Sequence, residues 1–417
     1  MVELVRTSES SWIEVNLTRL DLNIQAFRQV LARPVTPAAS QAGIKPPRQP
    51  MLCGVVKADA YGLGAATIAQ RLVSKGVDML AVYSPAQAAD LLRVSMSCPI
   101  LVFAPMRELV RTDALYRAAV TGRLHLAVHD LEQIEQILKI GTTFGCTMPI
   151  HLHVDTGMSR SGLNAEQFAL ALNRINGVRY LRLAGIYSHL ASADDAGGMA
   201  DQQREIFDAL IASHAEAIPA DTITHLANTF ATCRDRQFHR EMVRVGLGLY
   251  GYGPDLLQGG QIIGEMTELH PIVRWRSRIN HVQRYPAGAK VGYNSTYTCP
   301  RESVLGVIPV GYADGYPLAL SGKSVVALPE LSVGGRAAVA PVRGRVNMDQ
   351  IVVDLTDIPN VAVGTLVDLI SDDPTSPCAL PRLAELANSH CYELLTRLSS
   401  RITRVPIYAQ REPVSAK

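Results

Sequence analysis

Lys57 closes the run Val55-Val56-Lys57-Ala58-Asp59-Ala60-Tyr61-Gly62-Leu63-Gly64, where an apolar, β-branched stretch breaks into glycines before a helical pattern resumes. Such a run presents one amine at the mouth of a strand. A fully ionised surface lysine is a poor nucleophile, whereas one held in a partly dry pocket loses its charge more easily and can form a Schiff base. Tyr61, four residues on, is placed to reach the phosphate of an aldehyde held by that amine. A second run is His151-Leu152-His153-Val154-Asp155-Thr156-Gly157-Met158-Ser159-Arg160-Ser161-Gly162. Strand alternation puts His151, His153 and Asp155 on one face, and the Thr-Gly-Met turn projects Arg160 from the loop. An arginine there can grip a carboxylate with two parallel hydrogen bonds, which fixes an amino acid in orientation as well as in place.

Further blocks follow in order. Gly185-Ile186-Tyr187-Ser188-His189-Leu190 sets His189 just after a buried strand, where a lone histidine can equally be a satisfied core residue. His225-Leu226-Ala227-Asn228-Thr229 and Val243-Arg244-Val245-Gly246-Leu247-Gly248-Leu249-Tyr250-Gly251 come next. Then come Val291-Gly292-Tyr293-Asn294-Ser295-Thr296-Tyr297, Gly311-Tyr312-Ala313-Asp314-Gly315-Tyr316-Pro317, Gly344-Arg345-Val346-Asn347-Met348-Asp349-Gln350 and Tyr392-Glu393 with Arg404-Val405-Pro406. From Trp12-Ile13-Glu14-Val15 to Tyr408, this ordered set resembles the alanine racemases, fold-type III enzymes dependent on pyridoxal 5'-phosphate.

The resemblance implies roles. Lys57 would carry the cofactor, and Tyr61, Thr229, Gly246, Leu247 and Tyr392 would hold its phosphate through hydroxyls and backbone N–H groups. Arg244 would face the pyridine nitrogen. Because an arginine hardly ever gives up its proton, that nitrogen would stay unprotonated and the ring would be a weaker electron sink, which suits an enzyme that only moves an α-proton. Arg160, with the backbone of Met348, would take the substrate carboxylate, and Tyr312 would line the entrance. Racemisation needs proton removal on one face of a planar carbanion and delivery on the other, so two bases are implied, Lys57 and Tyr293. A free tyrosine titrates near pH ~10 and needs help to act as a base; the resemblance supplies it through His189 with Arg244. In the family this tyrosine comes from the partner subunit, so a homodimer is implied with Tyr293 acting in the partner's active site. The implied reaction interconverts L- and D-alanine and supplies D-alanine for peptidoglycan. Serine or broader amino-acid racemisation is the nearest alternative, and a fold-related decarboxylase a more distant one. The decarboxylases carry a carboxylate toward the pyridine nitrogen and a late catalytic cysteine, so Arg244 and Tyr293 discriminate against them.

One departure stands out. Many alanine racemases have a carbamylated lysine two residues before the Asp-Thr-Gly, supporting the substrate-binding arginine; this chain has His153. An imidazole forms no such stable carbamate, so Arg160 must be oriented by a neutral His153, by another side chain, or by a bound anion.

The elements that must position these residues are legible as patterns. Short apolar runs at residues 54–56, 79–82, 100–103, 124–128, 150–154, 183–188, 224–226 and 243–247 alternate with helical spacing at 65–75, 85–94, 130–138 and 165–175. This alternation predicts an α/β architecture, a TIM-like (β/α)8 barrel over residues 1–262 with its site at the carboxyl ends of the strands. An open doubly wound sheet is the alternative. Short β runs at 272–278, 303–310, 337–342, 351–355 and 365–370, separated by Gly, Pro and Asp turns, predict a mostly-β domain over 263–417. The first strand, near 12–16, is expected to pack with that second domain. The proline-rich segment 34–50 is expected to be a surface loop.

Composition narrows the class. At 417 residues, 47% hydrophobic and 19% charged, the chain suits two compact domains. A net charge of +2 without a Lys/Arg block gives no reason to expect nucleic acid or an anionic membrane, so the expected partner is a small molecule. Seven scattered cysteines without Cys-x-x-Cys spacing fit a reducing compartment, and no apolar secretion signal or membrane-spanning stretch is evident, so the expected location is cytoplasmic. No metal is called for.

Overall fold

The computed structural model describes residues 10–32, 49–94, 97–111, 114–194, 198–253, 268–333 and 336–408. The chain divides into two compact units, one formed by the described residues of Asp21–Ala60 and Gly64–Leu269, the other by those of Met1–Leu20, Tyr61–Leu63 and His270–Lys417. The boundary expected at 262/263 lies outside the described residues, as does all of the 34–50 loop except its last two positions.

The first strand, β1 (Ser11–Asn16), belongs to the strand-rich unit and is taken up with it below. Eight parallel strands build the first unit: β2 (Met51–Val55), β3 (Met79–Val82), β4 (Ile100–Val102), β5 (Leu124–Val128), β6 (Met148–His153), β7 (Leu181–Tyr187), β8 (Ile223–His225) and β9 (Met242–Val245). Their order is β8-β7-β6-β5-β4-β3-β2-β9, and backbone bonds from Glu241 N to Thr224 O and from Arg244 N to Ala227 O draw β9 toward β8. The sheet is thus a nearly closed barrel, and the open doubly wound alternative falls. Most strands are buried along their whole length, as expected where helices cover a barrel that is itself filled. Local chemistry starts the covering helices. Ser84 accepts from Gln87 N ahead of Pro85, Asn164 does the same for Gln167, and both sites form reciprocal capping boxes.

Sequence reading missed one local element. Instead of a loose glycine break after Lys57, Ala58, Asp59, Ala60 and Tyr61 form a left-handed turn with φ of 52°, 56°, 51° and 60°. For L-residues this costs about 1–2 kcal/mol each. In the barrel unit, Ala60 N bonds Val56 O, and Asp59 accepts from Gly64 N through its carbonyl and from Ala65 N through Oδ1.

In the second unit, nine strands form one sheet in the order β11-β14-β17-β16-β15-β18-β10-β1-β19. They are β1, β10 (Val273–Arg278), β11 (His281–Tyr285), β14 (Ser303–Ile308), β15 (Val325–Val333), β16 (Arg336–Arg343), β17 (Ile351–Asp354), β18 (Leu366–Ile370) and β19 (Thr403–Ile407). A separate ribbon pairs β12 (Lys290–Val291) with β13 (Tyr297–Thr298). β1 runs antiparallel to β10 and parallel to β19. Ion pairs of Arg276 with Glu14 and Asp368 tie side chains of β1, β10 and β18.

Candidate active site

The barrel places Lys57 just beyond β2 and Arg244 on β9. The Lys57 side chain keeps solvent-exposed surface, yet surrounding protein displaces much of its water, and Arg160 and Arg244 add their charges. Its pKa is therefore lowered, by desolvation first and then by the two guanidiniums.

Arg244 is 4% exposed and, among the described residues, has no carboxylate partner. It donates to the carbonyls of His225 (2.9 Å), Ser188 (2.8 Å) and Leu226 (3.2 Å), to His225 Nδ1 (3.0 Å) and to His189 Nδ1 (3.5 Å). Its carbon lies 5.2 Å from the centroid of the Tyr187 ring. Desolvation lowers its pKa to about 10, so it stays a cation at neutral pH. His189 is neutral, its pKa pushed down to about 3 by burial and then by Arg244, Arg160 and Lys57.

Thr229 opens a helix capped by Asn228, whose side chain accepts from Ala231 N. The Thr229 hydroxyl oxygen accepts from Gly246 N at 3.2 Å and from Gly248 N at 3.3 Å, which turns its own hydrogen outward. The N–H of Gly246 is thus spent on Thr229. A Cβ on Gly248 would lie 2.5 Å from the Phe27 ring and 2.7 Å from Thr229 Cγ2, so no larger residue fits there. Leu247 buries its side chain completely.

Arg160 is exposed, and among the described residues its guanidinium has no hydrogen-bond or ion-pair partner. The turn before it is set by Asp155, whose Oδ1 accepts from the backbone N of Gly157, Met158 and Ser159. His153 does not support Arg160. Its Nδ1 is 3.0 Å from His129 Nδ1, while His129 Nε2 donates to Phe103 O at 2.6 Å. His129 must then accept at Nδ1, and His153 must carry its proton on Nδ1. Burial lowers the His153 pKa to about 2, so the ring is neutral. Its remaining acceptor is then Nε2, for which no hydrogen bond to Arg160 is found among the described residues.

In the strand-rich unit, Tyr61 and Tyr392 meet with ring centroids 5.9 Å apart, and burial raises the Tyr61 pKa, helped by Tyr392. Gly62, at φ 80°, lets the chain pass where a Cβ would lie 2.5 Å from Leu395 O. Tyr312 and Met348 sit on loops pinned together by Tyr312 N to Asn347 O and Ala313 N to Met348 O, both 3.0 Å. A Cβ on Gly311 would lie 2.2 Å from Met348 O. Arg401 bridges Asp314 and Asp349 at 2.7 and 2.8 Å, clamping the same two loops. Tyr293 stands on a neighbouring turn, and Gly292 before it approaches Arg345 N. Tyr293, Met348 and Tyr312 are 69%, 55% and 46% exposed, unusual for large apolar side chains.

Residues 15–254 match the family model described as alanine racemase, N-terminal domain, and residues 272–406 that described as alanine racemase, C-terminal domain. The chain belongs to the alanine racemase family. It is 30% identical over 406 residues to an alanine racemase of Halothermothrix orenii, covering 96% of this chain and 97% of that one. With an alanine racemase of Synechocystis the identity is 32% over 402 residues, covering 96% and 99%. Among solved structures, alanine racemase from D-cycloserine-producing Streptomyces lavendulae aligns with a TM-score of 0.81 at 25% identity, covering 97% and 98%. That from Bartonella henselae, described with covalently bound pyridoxal phosphate, aligns at 0.78 and 25%, covering 96% and 100%. The family is one of isomerases, and neither the serine nor the decarboxylase alternative is favoured.

Sequence reading gave no role to His129, Tyr187 or His225. Tyr187 stacks between His153 and His225, with planes 5° and 10° from theirs. The available signal was period-two spacing: residues 151 and 153 of β6 and residue 187 of β7 all face inward. Among the described residues no group of histidine, cysteine and acidic side chains could hold a metal ion, and no helix is long and apolar enough to cross a membrane.

Proposed function

We propose that this chain interconverts L- and D-alanine by a two-base proton transfer, with Lys57 and Tyr293 as the bases. The observation that carries the reading is Lys57, an amine at a barrel strand end whose charged form is disfavoured by desolvation and by two nearby guanidiniums. Residues of the barrel fit pyridoxal 5'-phosphate. Thr229 offers an outward hydroxyl for the phosphate, with Gly246 acting through it and Leu247 N–H beside it, and Arg244 offers a fixed donor for the pyridine nitrogen. Tyr61 and Tyr392 are the phosphate-holding hydroxyls of the strand-rich unit. When bound, the cofactor supplies the electron-withdrawing ring that acidifies the α-hydrogen of the amino acid.

The protein's own groups do the rest. Arg160, with no partner among the described residues, takes the substrate carboxylate in a bidentate grip, joined by the backbone of Met348. Lys57 Nζ, once released, removes or delivers the proton on one face, and the Tyr293 phenol oxygen does so on the other. His189 and Arg244 assist Tyr293. The exposure of Tyr293, Tyr312 and Met348 supports a homodimer in which Tyr293 serves the partner's site, and seven free cysteines support a cytoplasmic enzyme that supplies D-alanine to peptidoglycan.

The test is incubation of purified protein and pyridoxal phosphate with each L-amino acid in turn, followed by chiral analysis. Alanine should racemise fastest. Borohydride reduction should fix the pyridoxyl group on Lys57; labelling at another lysine would overturn the assignment.

A further inference from the structure

Three buried imidazoles continue inward from Arg244. His225 Nε2 lies 2.8 Å from His151 Nδ1, and His151 Nε2 lies 2.8 Å from His125 Nδ1. The Gly122 backbone favours a proton on the His125 ring. The direction of every link is fixed from one end. A guanidinium has no acceptor, so Nδ1 of His225 must accept from Arg244, which puts the His225 proton on Nε2. That N–H donates to His151 Nδ1, the His151 proton sits on Nε2 and donates to His125 Nδ1, and the His125 proton is left on Nε2. Every link is satisfied without any positive charge. The opposite orientation would set two donors face to face at Arg244.

We propose that His151 and His125 are positioning residues for the reaction. They hold His225 in its Nε2–H tautomer and present Arg244 with a chain of aligned, uncharged dipoles in place of the carboxylate that usually accompanies a buried guanidinium. The inference rests on the reading that Arg244 faces the pyridine nitrogen. A buried cation without compensation is costly, and the partners of Arg244 are all neutral: three carbonyls and two imidazoles. Hydrogen bonds in series polarise one another, so each added ring makes the acceptor at Arg244 more negative without adding charge. A carboxylate could compensate the same cation, but it would raise the basicity of the nearby ring nitrogen and favour its protonation. The neutral chain fixes the guanidinium and leaves that nitrogen bare.

The backbone is built to admit the chain. Gly185 on β7 is the residue opposite His151, and a Cβ there would lie 2.2 Å from His151 Nδ1. The β6–β7 register also shifts between Ile150 and His151. The charged groups acting on these rings are Arg182 and Arg244, both cations, which with burial disfavour an imidazolium anywhere along the chain.

The experiment uses holoenzyme labelled with [15N]histidine, each ring being assigned by its loss in a single substitution. Two-bond nitrogen–proton correlations should show His125, His151 and His225 as neutral Nε2–H tautomers from about pH 6 to about pH 9, across the range where a free histidine titrates. A proton on Nδ1 of any of the three, or an imidazolium in that window, would overturn the orientation. For function, His151→Gln preserves the direction, since its carbonyl can accept from His225 and its amide donate to His125, whereas His151→Leu breaks it. His151→Leu should lower kcat roughly tenfold, the worth of about one buried hydrogen bond, with little change in KM, and His151→Gln should recover most of it. Equal kcat in the two variants, whether unchanged or equally low, would reduce the chain to packing and sink the proposal. If His151→Leu does not fold, the pair His125→Gln and His125→Leu is read by the same criteria. [15N]Pyridoxal phosphate separates the two readings: a protonated ring nitrogen with the three tautomers intact would count against the assignment of Arg244 and leave the chain standing.

Discussion

The ring of Tyr187 lies flat on His153, with centroids 4.5 Å apart and planes 5° apart. This stacking, with the bond to His129, occupies the residue at which the resemblance leads us to expect a carbamylated lysine. His153 is part of the barrel wall, and among the described residues no hydrogen bond joins it to Arg160.

Activity is therefore expected to be indifferent to dissolved carbon dioxide. Rates in degassed buffer and in bicarbonate-supplemented buffer should agree, each measured with and without chloride. A bicarbonate requirement would show that another lysine carries a carbamate, and a chloride requirement would show that an anion supports Arg160.

Removing the proposed second base should separate the two faces of the reaction. Tyr293→Ala is expected to lower racemisation by on the order of 10²-fold. If Lys57 is the base on the D face and Tyr293 that on the L face, α-deuterium exchange should become biased toward the D enantiomer. Equal loss of exchange from both enantiomers with cofactor still bound would exclude the division of labour.

Acid should destabilise the fold through its buried histidines. The pKa of His125 is lowered to about 4, that of His153 to about 2 and that of His189 to about 3, and those of His151 and His225 fall well below the usual value. Each folded ring stays neutral while its unfolded counterpart takes up a proton below about pH 6.5, so stability falls as pH drops through that value and stops falling only below the folded pKa. Each such ring contributes up to roughly 1.4 kcal/mol per pH unit. The urea midpoint should drop between pH 7.5 and pH 5, and less steeply in His125→Gln; a midpoint constant over that range would refute this.

Gly185→Ala tests the room left for His151. A methyl group 2.2 Å from a buried ring forces the ring or the strand to move, and overpacking of this kind costs about 1–3 kcal/mol. The denaturant midpoint should fall accordingly, whereas Gly122→Ala is not an equivalent control because Gly122 has φ of 67°. Gly54→Ala, whose Cβ would meet the flexible end of Leu72 at 2.9 Å and the side chains of Leu80 and Val77 at 3.4 Å, should be milder.

The barrel was legible because its strands are apolar runs of a few residues and several of the helices between them carry a start signal, such as Ser84-Pro85 or Asn164. Lys57, Arg160, His189 and Arg244 were legible as motif residues, and the barrel gathers all four into one electrostatic neighbourhood. What escaped was non-local. Strand β11 is largely exposed and lacks an apolar face, β15 contains Pro329 and Glu330, and β19 contains Pro406, so each depends on its neighbours for its conformation. The left-handed turn at Ala58–Tyr61 carries no glycine among its first four positive-φ residues, and of their types only that of Asp59 enters this region readily. The histidine chain escaped for a related reason. A buried imidazole in a strand looks like core until its partners on other strands are known.

The placement of β1 has a consequence for the order in which the chain can assemble. β1 is made first, yet its sheet neighbours β10 and β19 begin at Val273 and Thr403, after all eight barrel strands have been synthesised. The barrel, built from neighbouring β-α repeats, can form as it emerges, while β1 must wait with both edges unpaired. We expect protease protection of β1 on stalled nascent chains to appear only after β10 has left the ribosome, and protection before that point would contradict it. A strand made before the whole barrel is thus among the last to be secured, and until then it is an open strand edge that a folding helper would have reason to shield.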